Sequence, residues 1–131
     1  MSSPTTLKLG WKAGTEQYSP GELLDYAVTA EQAGFDSIDV SDHFHPWSEN
    51  GQACFVWTWL GAAAAKTKKI ILGTGVTCPI LRYHPAIVAQ AAATLGCLAP
   101  GRFFLGIGTG EALNEYSATG LGLHTIQDKP K

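Results

Sequence analysis

Ile70-Ile-Leu-Gly-Thr-Gly-Val76 and Arg102-Phe-Phe-Leu-Gly-Ile-Gly108 are two short apolar runs that decide the fold. Each run has the length and composition of a buried β-strand. After Tyr83-His84-Pro85 the pattern predicts a helix over residues 86–98, and Pro100-Gly101 ends it. A strand, a helix and a second strand in this order predict a parallel β-α-β unit with a right-handed crossover.

The same alternation extends toward the N-terminus. Strands are predicted over residues 7–13 and 37–42, and an alanine-rich helix over residues 54–65. Together these make four strand-helix steps, which fit either a small open α/β sheet or the first half of an eight-stranded barrel. The tail, residues 117–131, breaks this rhythm and is predicted to be irregular.

The helix between the first two strands has clear end signals. Ser19 suits the N-cap, Pro20 the first helical position, and Glu22 the carboxylate of a capping box. Gly34 lies where a left-handed glycine ends a helix. The sequence therefore predicts a helix that begins at Pro20 and ends before Gly34.

Composition limits the classes of function. The chain has 131 residues with 9 basic and 11 acidic side chains, and its formal charge is −2. Hydrophobic residues make up 45% and charged residues 15%, which indicates a packed core rather than a disordered chain. No stripe of Lys and Arg suggests a nucleic-acid surface. No apolar run reaches the ~20 residues of a membrane helix.

Cysteine usage favours a reducing compartment. Cys54, Cys78 and Cys97 are an odd number and form no C-x-x-C pair, so neither a disulfide framework nor a zinc knuckle is expected. The N-terminus shows no basic segment followed by an apolar core, so no signal peptide is expected. We therefore expect a cytoplasmic protein.

Candidate functional residues lie at the carboxyl end of the second strand, where parallel α/β folds place their sites. This strand runs into Asp42-His43-Phe44-His45-Pro46-Trp47. Alternation turns Ile38 and Val40 toward the helices. It turns polar side chains to the other face: Ser37, Asp39, Ser41 and His43. An acid, a base and an aromatic ring at a strand end indicate a catalytic site, and the alternative is a loop histidine beside a helix-capping aspartate.

The spacing of two histidines opens a metal hypothesis. His43 and His45 lie two residues apart in an extended segment, as in metal-dependent hydrolases on barrel folds. Two ligands are fewer than the three or four that zinc needs. The other histidines are His84, at a predicted helix start, and His124, in the tail, and no H-E-x-x-H occurs.

Glycines mark the ends of the third and fourth strands. Residues 74–79 fit a strand-ending bulge or an unusual backbone at Gly75, and Cys78 suits packing better than nucleophilic attack. The fourth strand runs into Gly106-Ile-Gly-Thr-Gly-Glu111, where Glu111 replaces the third glycine of the dinucleotide fingerprint, so that fingerprint fails. Glu111 is either a carboxylate beside a ligand or a helix-start residue.

Four segments occur in a familiar order and spacing: Ser41-Asp-His-Phe-His-Pro-Trp47, Leu72-Gly-Thr-Gly-Val-Thr-Cys-Pro79, Arg82-Tyr-His-Pro-Ala-Ile-Val-Ala-Gln90 and Gly106-Ile-Gly-Thr-Gly-Glu-Ala-Leu-Asn-Glu115. Over residues 7–115 the sequence resembles the luciferase-like flavin and deazaflavin oxidoreductases. Among these it is most similar to the glucose-6-phosphate dehydrogenase-type family that uses coenzyme F-420, an 8-hydroxy-5-deazaflavin.

This resemblance implies the N-terminal half of a (β/α)8 TIM barrel, with the deazaflavin at its C-terminal mouth. It places catalytic residues at His43, Trp47 and Glu111. It implies a non-proline cis peptide bond between Gly75 and Val76. It places the cofactor contacts at these residues: Asp42, Gly75, Val76, Cys78, Thr109, Gly110 and Asn114.

The implied chemistry is hydride transfer from a CH–OH group to C5 of the deazaflavin, with coenzyme F-420 favoured over FMN. An alcohol releases hydride only as its O–H proton departs, so a proton acceptor is required. We assign His43 to the substrate oxygen and Glu111 to the proton at the far ring nitrogen. His45 and residues 77–83 resemble the secondary-alcohol branch, and residues 108–115 resemble the sugar-phosphate branch. A secondary alcohol and glucose 6-phosphate therefore both stay open as substrates.

The length departs from the family pattern, because a complete barrel needs about 250 residues. The predicted division is a partial luciferase-like barrel over residues 1–116 and an irregular tail over residues 117–131. Three hypotheses stay open: a truncated F-420-dependent dehydrogenase, an inactive half-barrel that acts only in assembly, and a metal-dependent hydrolase. The expected partner is a small-molecule substrate, with no nucleic acid and no membrane, in a homo-oligomer such as a dimer.

Overall fold

The computed structural model describes residues 7–80 and 82–110. Within that part of the chain, strands and helices alternate in this order: β1 Gly10–Ala13, α1 Pro20–Gln32, β2 Ser37–Val40, α2 Val56–Lys66, β3 Ile71–Thr77, α3 Pro85–Leu98 and β4 Phe103–Ile107.

The strands form one parallel sheet in the order β1-β2-β3-β4. Each strand pairs with the next one in the chain, so each helix connects two adjacent strands. The register aligns Trp11 with Ile38, Ile38 with Leu72, and Leu72 with Phe103. The predicted α/β fold of parallel strand-helix steps is therefore confirmed. The carboxyl ends of all four strands lie at one edge of the sheet, which we call the mouth.

The ends of α1 confirm the predicted signals. Ser19 is the N-cap, Pro20 is the first residue, and Ser19 and Glu22 form a capping box. The hydroxyl of Ser19 accepts a hydrogen bond from the main-chain N–H of Glu22, whose carboxylate accepts one from the main-chain N–H of Ser19. Gly34 follows the helix with φ at +88°, in the left-handed region that glycine adopts without strain.

The helices cover one face of the sheet. Ile38, Val40 and Leu72 are buried on this face, as strand alternation predicts, and Leu23 of α1 and Leu60 of α2 belong to the same core. Burial of one such aliphatic side chain contributes roughly 1.5–3 kcal/mol. This layer therefore holds the helices against the sheet and fixes the positions of the strand ends.

The opposite face of the sheet carries a charged pair and two partly exposed apolar side chains. Lys12 Nζ lies 2.6 Å from Asp39 Oδ2. The ring of Phe104 lies over Gly73, and Phe104 and Ile71 are each 40% exposed. Parallel sheets are normally covered on both faces. The described elements cover only one.

The bounds of two strands differ from the predicted ones because side chains take over main-chain hydrogen bonds. β1 begins at Gly10 rather than at residue 7, since the carboxylate of Asp36 accepts the N–H of Leu9 at 2.8 Å. β2 ends at Val40, since the hydroxyl of Thr15 donates to the carbonyl oxygen of Ser41 at 3.0 Å.

The predicted tail, residues 117–131, lies outside the described residues, so the proposed division at residue 116 stays a prediction. Within the described ranges, no helix combines the length and hydropathy needed to cross a membrane.

Candidate active site

A cleft of about 260 Å³ opens at the mouth, where β1 and β2 end. Its walls include Glu16 and Gln17 from the loop after β1, and Ser41, His43 and Trp47 from the segment after β2. The two strands are adjacent and parallel, so their carboxyl ends bring these residues to the same place. The cleft therefore contains two of the three predicted catalytic residues, His43 and Trp47.

His43 faces a carboxylate across the cleft. Its Nε2 lies 3.7 Å from Oε1 of Glu16, and each of the two side chains is 22% exposed. The ring of Trp47 lies 6.3 Å from the imidazole ring at 64° and is 64% exposed, so it stands beside the pair at the solvent side. An imidazole next to a carboxylate can take up a proton while the carboxylate stabilises the charge.

Asp42 is buried directly beside this cleft. Its carboxylate, 1% exposed, accepts hydrogen bonds from Thr77 at 2.9 Å, Tyr83 at 3.0 Å and Arg82 at 2.5 Å. Its main-chain N–H donates to the carbonyl oxygen of Val76 at 3.2 Å. Asp42 thus joins the ends of β2 and β3, and its carboxylate accepts hydrogen bonds from residues of this chain. A contact between this residue and a cofactor stays a prediction.

The end of β3 has the expected backbone. The peptide bond between Gly75 and Val76 is cis, as the resemblance implies. Lys12 donates to the carbonyl oxygen of Gly75, and a Cβ at that glycine would overlap the carboxylate of Asp39. The side chain of Val76 is 45% exposed, whereas Cys78 is buried. Val76 therefore offers an apolar surface at the mouth, and the thiol of Cys78 is packed inside.

The end of β4 lies against the same segment. The N–H of Gly108 donates to the carbonyl oxygen of Thr77 at 2.9 Å. A Cβ at Gly108 would overlap the side chain of Val76. The glycine therefore lets β4 approach Val76 closely, and the pairing between β3 and β4 shifts register between Thr74 and Thr77.

The remaining predicted site residues belong to the turn after β4. Thr109 and Gly110 are exposed, and Gly110 has φ at +86°, which favours glycine. Glu111, the third predicted catalytic residue, and Asn114 lie outside the described residues. The structure thus places Thr109 and Gly110 at the mouth, and it leaves the other two as predictions.

The two histidines of the metal hypothesis have different partners. His43 faces Glu16, whereas His45 is exposed with its Nδ1 2.7 Å from the carbonyl oxygen of the next residue. His84 is the N-cap of α3, as predicted, and its Nδ1 accepts the N–H of Ala86. Among residues 7–80 and 82–110, no three His, Cys, Asp or Glu side chains form a group that could hold a metal ion.

Two further residues lie at the site and were not predicted from the sequence: Glu16 and Arg82. Glu16 follows β1 by three residues and faces His43, and the general rule that strand ends carry function would have found it. Arg82 belongs to one of the four matching segments, but its contact with Asp42 links two segments 40 residues apart. Nothing in the local pattern reveals such a contact.

Two curated relatives are highly similar to this chain. An F-420-dependent glucose-6-phosphate dehydrogenase of Beutenbergia cavernae is 61% identical over 110 residues, which cover 83% of this chain and 33% of that protein. One of Intrasporangium calvum is 56% identical over 117 residues, which cover 88% of this chain and 35% of that protein. The chain therefore spans about a third of the length of these relatives.

One solved structure and a family model agree with this similarity. An F-420-dependent secondary alcohol dehydrogenase, solved with an F-420-acetone adduct, has 48% identity and a TM-score of 0.85. The match covers 92% of this chain and 38% of that one. The model of the luciferase-like monooxygenase family matches residues 5–129. With its parallel strand-helix steps and a cleft at the strand ends, the chain belongs to the luciferase-like monooxygenase family.

Proposed function

We propose that this chain is the N-terminal portion of an F-420-dependent dehydrogenase that oxidises a CH–OH group. The observation that carries the proposal is the cleft in which His43 faces Glu16 beside Trp47 at the strand ends. The similar proteins named above support the choice of coenzyme and reaction. Coenzyme F-420, rather than FMN, would accept the hydride.

The described residues fit a flat, ring-shaped coenzyme at the mouth. Trp47, after β2, is 64% exposed, and Val76, in β3, is 45% exposed. Apolar surface is therefore available at the mouth beside the ends of both strands. Gly108 brings β4 next to Val76 and leaves Thr109 and Gly110 exposed. When bound, the deazaflavin supplies the carbon that accepts hydride.

Several residues would hold the coenzyme in this proposal. The exposed Val76 side chain and the Gly75 backbone would lie against the ring. The turn after β4 would approach its polar groups through main-chain N–H groups, as glycine-rich turns do. The proposed contacts are these: Asp42, Gly75, Val76, Cys78, Thr109, Gly110 and Asn114. Cys78 is buried, so its contact would be through main-chain atoms.

His43 is the proposed proton acceptor. A hydroxyl must lose its proton as its carbon loses hydride, and an imidazole is well suited to take that proton near neutral pH. Nε2 of His43 would accept it, and the carboxylate of Glu16, 3.7 Å away, would stabilise the resulting positive charge. Trp47 would exclude water from one side of the pair. Glu111 is the proposed proton donor at the far side of the coenzyme ring.

The substrate is a second question with two candidates. Glucose 6-phosphate is favoured because the similar dehydrogenases of Beutenbergia cavernae and Intrasporangium calvum, named for that substrate, are 61% and 56% identical to this chain. A secondary alcohol is the alternative, since the solved dehydrogenase for such alcohols is 48% identical. The same His43 chemistry serves both, because each presents a hydroxyl on the carbon that loses hydride.

Fluorescence titration of the purified chain with oxidised coenzyme F-420 tests the proposal. We expect saturable binding that free FMN does not displace at equal concentration. Trp47→Ala should weaken the binding, and Trp57→Phe, a change in the core away from the mouth, should not. A folded chain without saturable binding, as judged by circular dichroism, would contradict the proposal for this chain and would favour the inactive half-barrel.

We infer further that the protein is a cytoplasmic homo-oligomer that acts on a small molecule, with neither nucleic acid nor membrane as partner. The net charge of −2 and the three free cysteines support this view. Light scattering during size-exclusion chromatography measures the oligomeric state. A monodisperse dimer is expected, and a monomer would contradict this part of the proposal.

A further inference from the structure

Arg82 holds Asp42 by both its main chain and its side chain. One nitrogen, Nη2, donates to the carbonyl oxygen of Asp42 at 2.9 Å and to carboxylate Oδ1 at 2.5 Å. The carbonyl group belongs to the peptide bond that joins Asp42 to His43. A single guanidinium nitrogen therefore restrains the plane of the peptide from which His43 extends.

The contact is enclosed by other groups. The side chains of Asp42 and Arg82 are 1% and 13% exposed. The guanidinium carbon lies 4.8 Å from the ring centre of Tyr83 and 5.9 Å from that of Phe44, distances of cation–π contact. Thr77 donates to the other carboxylate oxygen at 2.9 Å. Because water is largely excluded, breaking the ion pair would leave a buried charge without its partner.

We propose that Arg82 is a positioning residue that aims His43 into the cleft. It acts through Asp42, whose main-chain carbonyl oxygen and carboxylate both accept its Nη2. Its effect on coenzyme or substrate rests on the function proposed above, but its effect on the orientation of His43 does not. The guanidinium is required because it offers two N–H groups in a fixed plane and stacks on aromatic rings, whereas lysine offers only a compact charge.

Two substitutions separate the geometry of Arg82 from its charge. Arg82→Lys keeps the charge but loses the planar guanidinium that stacks on the rings of Tyr83 and Phe44. Arg82→Met removes the charge and keeps much of the length. We expect the His43 side-chain signals in ¹H–¹⁵N spectra to shift and broaden in both variants, and more in Arg82→Met. The spectrum of His43→Gln assigns those signals among the four histidines.

Arg102 provides a matched control. Its guanidinium donates to the carbonyl oxygens of Ala64, Thr67 and Ile70 at 3.0–3.3 Å. It therefore binds several oxygens as Arg82 does, but at the amino ends of β3 and β4, away from the mouth. Arg102→Met should lower the free energy of unfolding and leave the His43 signals in place.

Coenzyme affinity gives a second measurement. Asp42 is a proposed coenzyme contact, so loss of its partner should disturb that contact; the loss of about 10–100-fold seen when metal ligands lose such partners sets the scale, and we expect an increase of about tenfold in the Kd of F-420 for Arg82→Met. Unchanged His43 signals in Arg82→Met, or equal changes in Arg102→Met, would overturn the positioning role. Absence of F-420 binding by the unsubstituted chain would contradict the proposed function alone, since the His43 spectra would still decide the role of Arg82. If Arg82→Met fails to fold, the His43 signals of Arg82→Lys provide the same test: a shift supports the positioning role and unchanged signals overturn it.

Discussion

Nε2 of His43 lies 3.7 Å from Oε1 of Glu16, although the two residues are 27 positions apart in the sequence. Adjacent parallel strands bring them together, because β1 and β2 end at the same edge of the sheet. The pair gives the cleft a base and a carboxylate to support it.

His43→Gln should lower the rate of F-420 reduction by about 100-fold or more, since glutamine cannot accept the proton of the substrate hydroxyl. The rate is followed by the loss of absorbance of oxidised F-420 with glucose 6-phosphate or isopropanol as donor. His45→Gln is the control, because His45 is exposed and contacts its own neighbour. An equal decrease of the rate in His43→Gln and His45→Gln would argue against His43 as the proton acceptor and would favour the metal hypothesis.

Glu16→Gln should have a smaller effect than His43→Gln. The amide keeps the shape of the carboxylate but loses the charge that stabilises a protonated imidazole. We expect a decrease of about tenfold in the same rate, with the unfolding midpoint in urea nearly unchanged, because Glu16 lies in the cleft and not in the core. A full rate in Glu16→Gln would show that the carboxylate takes no part in the reaction.

Two glycine substitutions test the packing of β4 on β3. A Cβ at Gly106 would overlap the carbonyl oxygen of Thr74, which the backbone cannot easily move. Gly106→Ala should therefore cost about 2–3 kcal/mol of unfolding free energy. Gly96 in α3 has no atom near the position of a Cβ, so Gly96→Ala should stabilise the chain by about 0.5–1 kcal/mol. Urea unfolding measures both, and equal stabilities would contradict the described contact between the strands.

Much of this fold follows from local sequence signals. The capping box of Ser19 and Glu22, the left-handed Gly34 and the alternation around Ile38 each act within a few residues, so a reader of the sequence can find them. Contacts between distant segments leave no such local signal. The partners of the Asp42 carboxylate come from β3 and the loop before α3, so its role in joining the strand ends could not be found from the residues around it.

Some features could be predicted only from the resemblance to a family and not from the local sequence pattern. Neither composition nor strand alternation predicts a cis bond between Gly75 and Val76, yet the structure contains it. The positions of Glu111 and Asn114 rest on the resemblance alone. Glu16, by contrast, could have been predicted without any resemblance. Functional residues gather at the carboxyl ends of parallel strands, and this rule applies to β1 as it does to β2.

Glu31 links α1 to the loop before β3 and should make stability depend on pH. Its Oε1 accepts three main-chain N–H groups, from Lys68 at 2.8 Å, Lys69 at 2.6 Å and Ile70 at 2.9 Å. Burial alone would raise the pKa of Glu31, but these hydrogen bonds and the charge of Arg102 outweigh it, so the pKa lies below the usual glutamate range. The ionised form is therefore stabilised by folding.

The sign of the effect follows from this lowered pKa. Above the unfolded value, near pH ~4.3, the ionised carboxylate contributes its full stability, and the contribution is lost as the pH falls through the lower folded pKa. Glu31→Gln should cost about 0.5–1 kcal/mol at pH 7, because the amide keeps an acceptor oxygen but loses the negative charge, whose effect solvent partly screens. The difference between the unsubstituted chain and the variant should shrink below pH 4. A difference that is constant from pH 7 to pH 3 would contradict the role of the charge.

The three cysteines should react with a thiol reagent at different rates. Cys97 is exposed on α3, whereas Cys54 and Cys78 are buried. Burial raises the pKa of the Cys54 thiol, and the nearby charge of Asp42 adds to this, so less reactive thiolate is present at neutral pH. In native buffer at pH 7.5, one thiol should react quickly with Ellman's reagent and two slowly, and Cys97→Ser should remove the fast phase. Three thiols of equal rate would mean that the segments around Cys54 and Cys78 open readily, which would contradict the burial of these two side chains.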